Sequence, residues 1–159
     1  MSVQNPSLDP LMALLGQAER ERDDALAGMQ RANEAHLAAQ SQADQLLAYR
    51  SEYEARFREQ FSRKSTIDIL QCYQGFNARL GQAIDQQQKI AAHAALRLEQ
   101  SREDLRDQEL RVASVRKLLE RRLHELRQVA ERRDQKQTDE FASRAAWSQL
   151  QQRPLSPAA

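Results

Sequence analysis

The sequence predicts an all-α fold, two long helices forming an antiparallel coiled-coil hairpin, with the second helix longer and ending in a single-helix overhang. Three observations carry this. All four prolines lie outside the stretch from Leu11 to Arg153, and the 159 residues include only four glycines. Proline removes a helix hydrogen bond and glycine costs about 1 kcal/mol of propensity, so such a stretch favours long helices. Apolar residues then recur in alternating steps of three and four along two runs too long for one globular helix. Finally, one polar, turn-compatible segment separates the two runs. Aromatic residues make up 5% and charged residues 30%, a ratio suited to narrow seams between helices rather than to a broad core.

Taken in order, residues 1–8 are expected to be a flexible leader. The hairpin occupies 9–148, with helix 1 at about 9–60, a turn at about 61–66 and helix 2 at about 67–148. Residues 149–159 form a polar tail, stopped by Pro154 and expected to be disordered. Asp9 is placed to accept hydrogen bonds from the free amides of the first turn, and Pro10 suits the first helical position. The first seam reads Leu8, Leu11, Leu15, Ala18, Arg22, Ala25, Met29, Ala32, His36, Ala39, Ala43, Leu46, Arg50, Tyr53, Phe57. Its middle is mostly alanine, so the facing helix can come close there. The register fails at Gln60–Thr66, and Ser65 with Asp68 three residues on resembles a capping box that restarts a helix.

The second seam is expected to run Ile69, Tyr73, Phe76, Leu80, Ala83, Gln87, Ile90, Ala94, Leu98, Ser101, Leu105, Gln108, Val112, Val115, Leu119. Its two successive steps of four, at Ile90–Ala94–Leu98, predict a stutter that locally unwinds the supercoil. A short turn makes the two helices antiparallel neighbours. Folding about residue 64 sets Leu8 opposite Leu119 or Glu120, and the helix beyond is expected to project alone. Surface pairs Glu52–Arg56, Glu54–Arg58 and Asp107–Arg111 add a few tenths of a kcal/mol each.

The residues offer little for catalysis. No glycine-rich phosphate loop, nucleophile elbow or HExxH occurs. His36, His93 and His124 are far apart, and His36 falls on a seam, where a polar interruption setting the register is the plain reading. Cys72 is the only cysteine, which excludes an internal disulfide and a multi-cysteine metal site and agrees with a reducing compartment. A small half-buried hydrophobe beside Tyr73 is the expectation for it. Carboxylates on an exposed helix are solvated, so none is pressed into acid–base service. No catalytic, metal or cofactor residue is assigned, and the chain is read as a non-enzyme.

Charge is uneven although the formal net value is +1. The stretch from Met1 to Gln60 carries six Lys/Arg against ten Asp/Glu, and that from Arg111 to Lys136 nine against four. The basic run could follow phosphates. Glu120, Glu125, Glu131 and Asp134 interrupt it, however, as on a protein-binding or solvated face, and no nucleic-acid partner is expected. No apolar run approaches the roughly 20 residues of a membrane span, and no signal-peptide plan opens the chain, so a cytoplasmic location without membrane insertion is expected.

Two segments are more specific. Leu46–Phe57 (LLAYRSEYEARF) and Asp134–Ala146 (DQKQTDEFASRAA) resemble the most recognisable stretches of the flagellar export protein FliJ family. Ile67–Gln87 (IDILQCYQGFNARLGQAIDQQ) is similar to that family's start of the second helix, although an aromatic residue often found at its beginning is absent. The resemblance covers nearly the whole chain in order, length and helix plan. It implies a stalk and coupler of the flagellar type III export apparatus, peripheral at the cytoplasmic face of the inner membrane at the flagellar base. The partners it implies are the hexameric export ATPase FliI, the export gate FlhA and export chaperones.

The family's gate-contact residues match Gln42, Leu46, Tyr49, Tyr53, Phe76, Leu80 and Ala83, and the eighth falls on Gln87, which departs from the pattern. Folding about the turn pairs 42 with 87, 46 with 83, 49 with 80 and 53 with 76. Coiled-coil core is the plain alternative for most of them, whereas Tyr49 stands one residue before the seam position Arg50 and is expected at the seam's edge. Contact with the ATPase is expected on the overhang, through Arg132, Arg133, Asp134, Gln135, Lys136, Asp139, Glu140, Phe141 and Arg144. A stalk protein of a virulence-type secretion system, a scaffolding coiled coil and a nucleic-acid-binding helical arm remain the alternatives.

Overall fold

The structure, a computed structural model, describes residues 6–63 and 66–153. Helix α1 spans Asp9–Arg63 (55 residues) and α2 spans Ile67–Gln151 (85 residues), and the two pack as a hairpin. Among the described residues there is no strand. Residues 1–5 of the expected leader, Ser65 of the expected capping box and residues 154–159 of the expected tail lie outside the described residues.

Helices α1 and α2 begin at Asp9 and Ile67, and Asp9 is helical rather than the flanking cap that the sequence suggests. The Met12 amide donates to the Leu8 carbonyl at 2.9 Å, so Leu8 flanks the helix, and Asp9 sits in the first turn, where the helix dipole favours an acid. Similarly, the Leu70 amide donates to the Thr66 carbonyl at 3.2 Å, with Asp68 in the first turn of α2. Helix α1 also continues through Phe61, Ser62 and Arg63, where the sequence places the turn. The Ser62 hydroxyl donates to the Glu59 carbonyl at 2.7 Å, which accommodates a polar residue in a last helical turn.

The chain divides into two compact units, Gln17–Val112 and Met1–Gly16 with Ala113–Ala159. In the first, α1 follows its predicted seam, and all twelve predicted positions from Ala18 to Phe57 are buried or partly buried. Ala18, Ala39 and Ala43 are buried, as are Leu80, Ile84, Ala91, Leu98 and Val112 of α2. Among the described residues no large side chain is fully buried, which is what a two-helix seam allows.

Three predicted α2 seam positions do not hold, Ile69 at the start of the helix being exposed. Ala83 and Ile90 are exposed, and Ile84 and Ala91 are buried in their place. After Leu80 the seam takes its second step of four at once and then continues through Gln87, Ala91, Ala94 and Leu98. The two steps of four therefore fall at Phe76–Leu80–Ile84, and the stutter predicted at Ile90–Ala94–Leu98 is absent. Burying Ile84 removes more apolar surface from water than burying Ala83 would, while Ala91 lets the alanine-rich middle of α1 come close.

In the second unit Val115 is buried, and Leu119, Leu123 and Leu126 are partly buried, as are Leu8, Leu11 and Leu15. Two further seam positions beyond the predicted limit are thus engaged. From Arg127 to Gln151 every residue is exposed, and α2 continues as a helix throughout.

Candidate functional site

Six of the seven Tyr and Phe residues lie between Tyr49 and Phe76, on both sides of the turn. Because the helices are antiparallel, these rings stack into one ladder. Phe57 and Tyr73 are nearly parallel at 3.6 Å between centroids, Tyr53 lies 4.3 Å from Phe76 and 5.7 Å from Tyr73, and Phe61 lies 5.3 Å from Phe57. Offset stacking of this kind contributes about 0.5–1.5 kcal/mol per pair beyond area burial.

Two of the four predicted levels are directly visible. Tyr53 meets Phe76, and Gln87 Nε2 donates to Gln42 Oε1 at 3.1 Å and to the Ala39 carbonyl at 3.4 Å. The eight residues do not share one environment. Leu80 is core, Leu46, Tyr53, Phe76 and Gln87 are partly buried between the helices, and Gln42, Tyr49 and Ala83 are exposed. Tyr49 is 48% exposed, stacked 6.3 Å from Tyr53 and edge-on to Phe76 at 6.4 Å, so its ring is held at the seam's edge with one side open. Phe57, Phe61 and Tyr73 extend the same ladder, and Ile67 and Ile69 add exposed apolar surface nearer the turn. The density of aromatics on both sides of the break was the available signal for the three rings.

The second candidate surface is the exposed end of α2. Arg132, Arg133, Asp134, Gln135, Lys136, Asp139, Glu140, Phe141 and Arg144 are all exposed there, Phe141 at 78%. Val129, Trp147 and Leu150 are exposed large hydrophobic residues on the same stretch. Among the described residues no charge from Arg127 to Arg153 forms an ion pair, whereas earlier in α2 Arg102–Glu99 and Arg122–Glu125 do. The Thr138 hydroxyl donates to the Asp134 carbonyl and the Ser148 hydroxyl to the Ala145 carbonyl, each at 2.9 Å, and these contacts bind the helix to itself.

Residues considered for chemistry are dispersed. His36 is partly buried on its seam with Nδ1 shielded and without a hydrogen-bond partner, His93 is exposed, and His124 contacts Gln128 at 3.1 Å. Cys72 is exposed rather than half-buried, because the ring next to it, Tyr73, is the one turned toward α1. Among the described residues no three His, Cys, Asp or Glu side chains converge as a metal site would require, and no helix is long and apolar enough to cross a membrane.

A family model described as flagellar FliJ protein matches residues 7–151. The chain belongs to the FliJ family. It is accordingly a component of the flagellar protein export apparatus. Comparison with curated proteins finds no match. The two segments that resemble the FliJ family lie where the structure concentrates unusual surface. Leu46–Phe57 carries one side of the aromatic ladder, and Asp134–Ala146 lies on the exposed end of α2. The family is the flagellar one, which favours this reading over that of a virulence-type stalk protein.

Proposed function

We propose that this FliJ-family chain is a non-enzymatic stalk and coupler of flagellar export, joining the hexameric export ATPase to the export gate and receiving export chaperones. It acts at the cytoplasmic face of the inner membrane. The observation that supports this best is the end of α2, where a helix continues from Arg127 to Gln151 with every residue exposed. Most helical stability in proteins comes from packing of one face rather than from propensity, and here no face is packed. Mixed charges without internal partners, together with Val129, Phe141 and Leu150, provide a surface that a protein ring could surround. The gate is assigned to the aromatic ladder, with Tyr49 at its open edge. Tyrosine there offers a large apolar face and a hydroxyl that stays hydrated until binding.

The test removes Lys136–Ala159 and measures ATP turnover by the purified export ATPase. The intact chain is expected to change turnover while hydrolysing nothing alone, and the truncated chain to lose most of that effect. Unchanged stimulation by the truncated chain would reduce the overhang to a solvated helix end and remove the basis for this assignment.

A further inference from the structure

A groove unrelated to either proposed surface runs between the helices of the Gln17–Val112 unit. It consists of two adjoining hollows of about 530 and 310 Å³ that share Gly28 and Ser101. Its α1 wall is built from Ala25, Gly28, Ala32, Ala35 and Ala39, which recur in steps of three and four and leave space where larger side chains would close it. Charge is ordered along the α2 wall. His93 and Arg97 precede Ser101, and Asp104 and Asp107 follow it, while Arg31 of α1 adds to the cationic half. Among the described residues Arg31, Arg97, Asp104 and Asp107 form no ion pair. The expected Asp107–Arg111 pair does not form, because Arg111 instead reaches across to Glu21 of α1.

A helix face that is positive on one side of Ser101 and negative on the other is complementary to itself under a two-fold axis. If α2 of a second copy lies antiparallel with its Ser101 near that axis, Arg97 of each copy faces Asp104 of the other, and His93 faces Asp107. Each pairing occurs twice. Gly28 and the alanines allow the close approach of about 8 Å between axes that small contact residues permit. Partly exposed Ile90 adds apolar surface at the end of the groove. We propose that this groove is a self-association surface, in which α2 of a second copy of the chain docks antiparallel between α1 and α2.

Two positions allow a test that leaves the hairpin intact. A Cβ on Gly28 would meet only the far end of the Arg31 side chain, at 3.9 Å, so Gly28→Leu fills the groove without disturbing the seam. Ser101 stands near the axis, so a cysteine there lies close to its own copy. Sedimentation of the full-length Cys72→Ser chain at low salt, over about 1–100 µM, is expected to show a dimer that weakens as salt rises. Gly28→Leu should yield monomer with unchanged helicity. Arg97→Asp should weaken association roughly tenfold or more, and adding Asp104→Arg should restore it, because the exchanged charges again face one another across the axis. Ser101→Cys in the Cys72→Ser background should form a disulfide-linked dimer faster than Ser51→Cys. A chain that stays monomeric to about 100 µM overturns the proposal and leaves the groove to a different polypeptide. A dimer indifferent to Gly28→Leu, or a charge exchange that fails to restore association, overturns it equally.

Discussion

Tyr49 and His36 illustrate how single positions on one helix divide between exposed edge and seam. Tyr49 touches the ring ladder at its edge and keeps nearly half its surface in water. Removing its ring is therefore expected to cost the fold little, and the proposed gate contact much. Tyr49→Ala is expected to weaken gate binding by about 1–3 kcal/mol with helicity and melting nearly unchanged, as titration calorimetry and thermal unfolding would show. His36 is the opposite case. Its Nδ1 is buried without a hydrogen-bond partner in a seam of alanines and leucines, and an unsatisfied polar atom there costs about 1–3 kcal/mol. His36→Leu should raise the hairpin's unfolding free energy by about 1 kcal/mol, read from denaturant midpoints. An unchanged midpoint would mean that water reaches the ring.

At the scale of the elements, the register of α2 determines which residues hold the hairpin. With Ile84 buried and Ala83 exposed, Ile84→Ala is expected to destabilise by about 2–4 kcal/mol, and Ala83→Glu by less than about 0.5 kcal/mol. Denaturant unfolding of the two variants separates this register from the alternative, which predicts the reverse order. Helix α1 was legible in the sequence through its whole seam, because leucines and aromatics at its ends leave one phase that satisfies all positions. Helix α2 was not, since Ala83 and Ile84, and likewise Ile90 and Ala91, are adjacent apolar residues that fit two phases equally. Only the surface facing them, and the larger area of Ile84, chooses between the two. The candidate gate residues were legible as levels of an antiparallel fold, and Gln42–Gln87 and Tyr53–Phe76 meet as that folding requires. Their division into core and surface depends on the α2 phase and was not readable beforehand.

For the whole molecule, the FliJ family places this chain in export, and the two surfaces proposed for its partners fall on different units. The aromatic ladder belongs to the Gln17–Val112 unit, and the exposed end of α2 belongs to the other. A coupler needs both surfaces on one chain, each able to hold a partner while the other is occupied. The most direct measurement immobilises the export ATPase and records how much of the gate's cytoplasmic domain is retained with and without this chain. Retention is expected only with the intact chain, and to be lost both with Tyr49→Ala and with deletion of Lys136–Ala159. Equal retention without the chain, or undiminished retention with both altered forms, would contradict its role as the link between them.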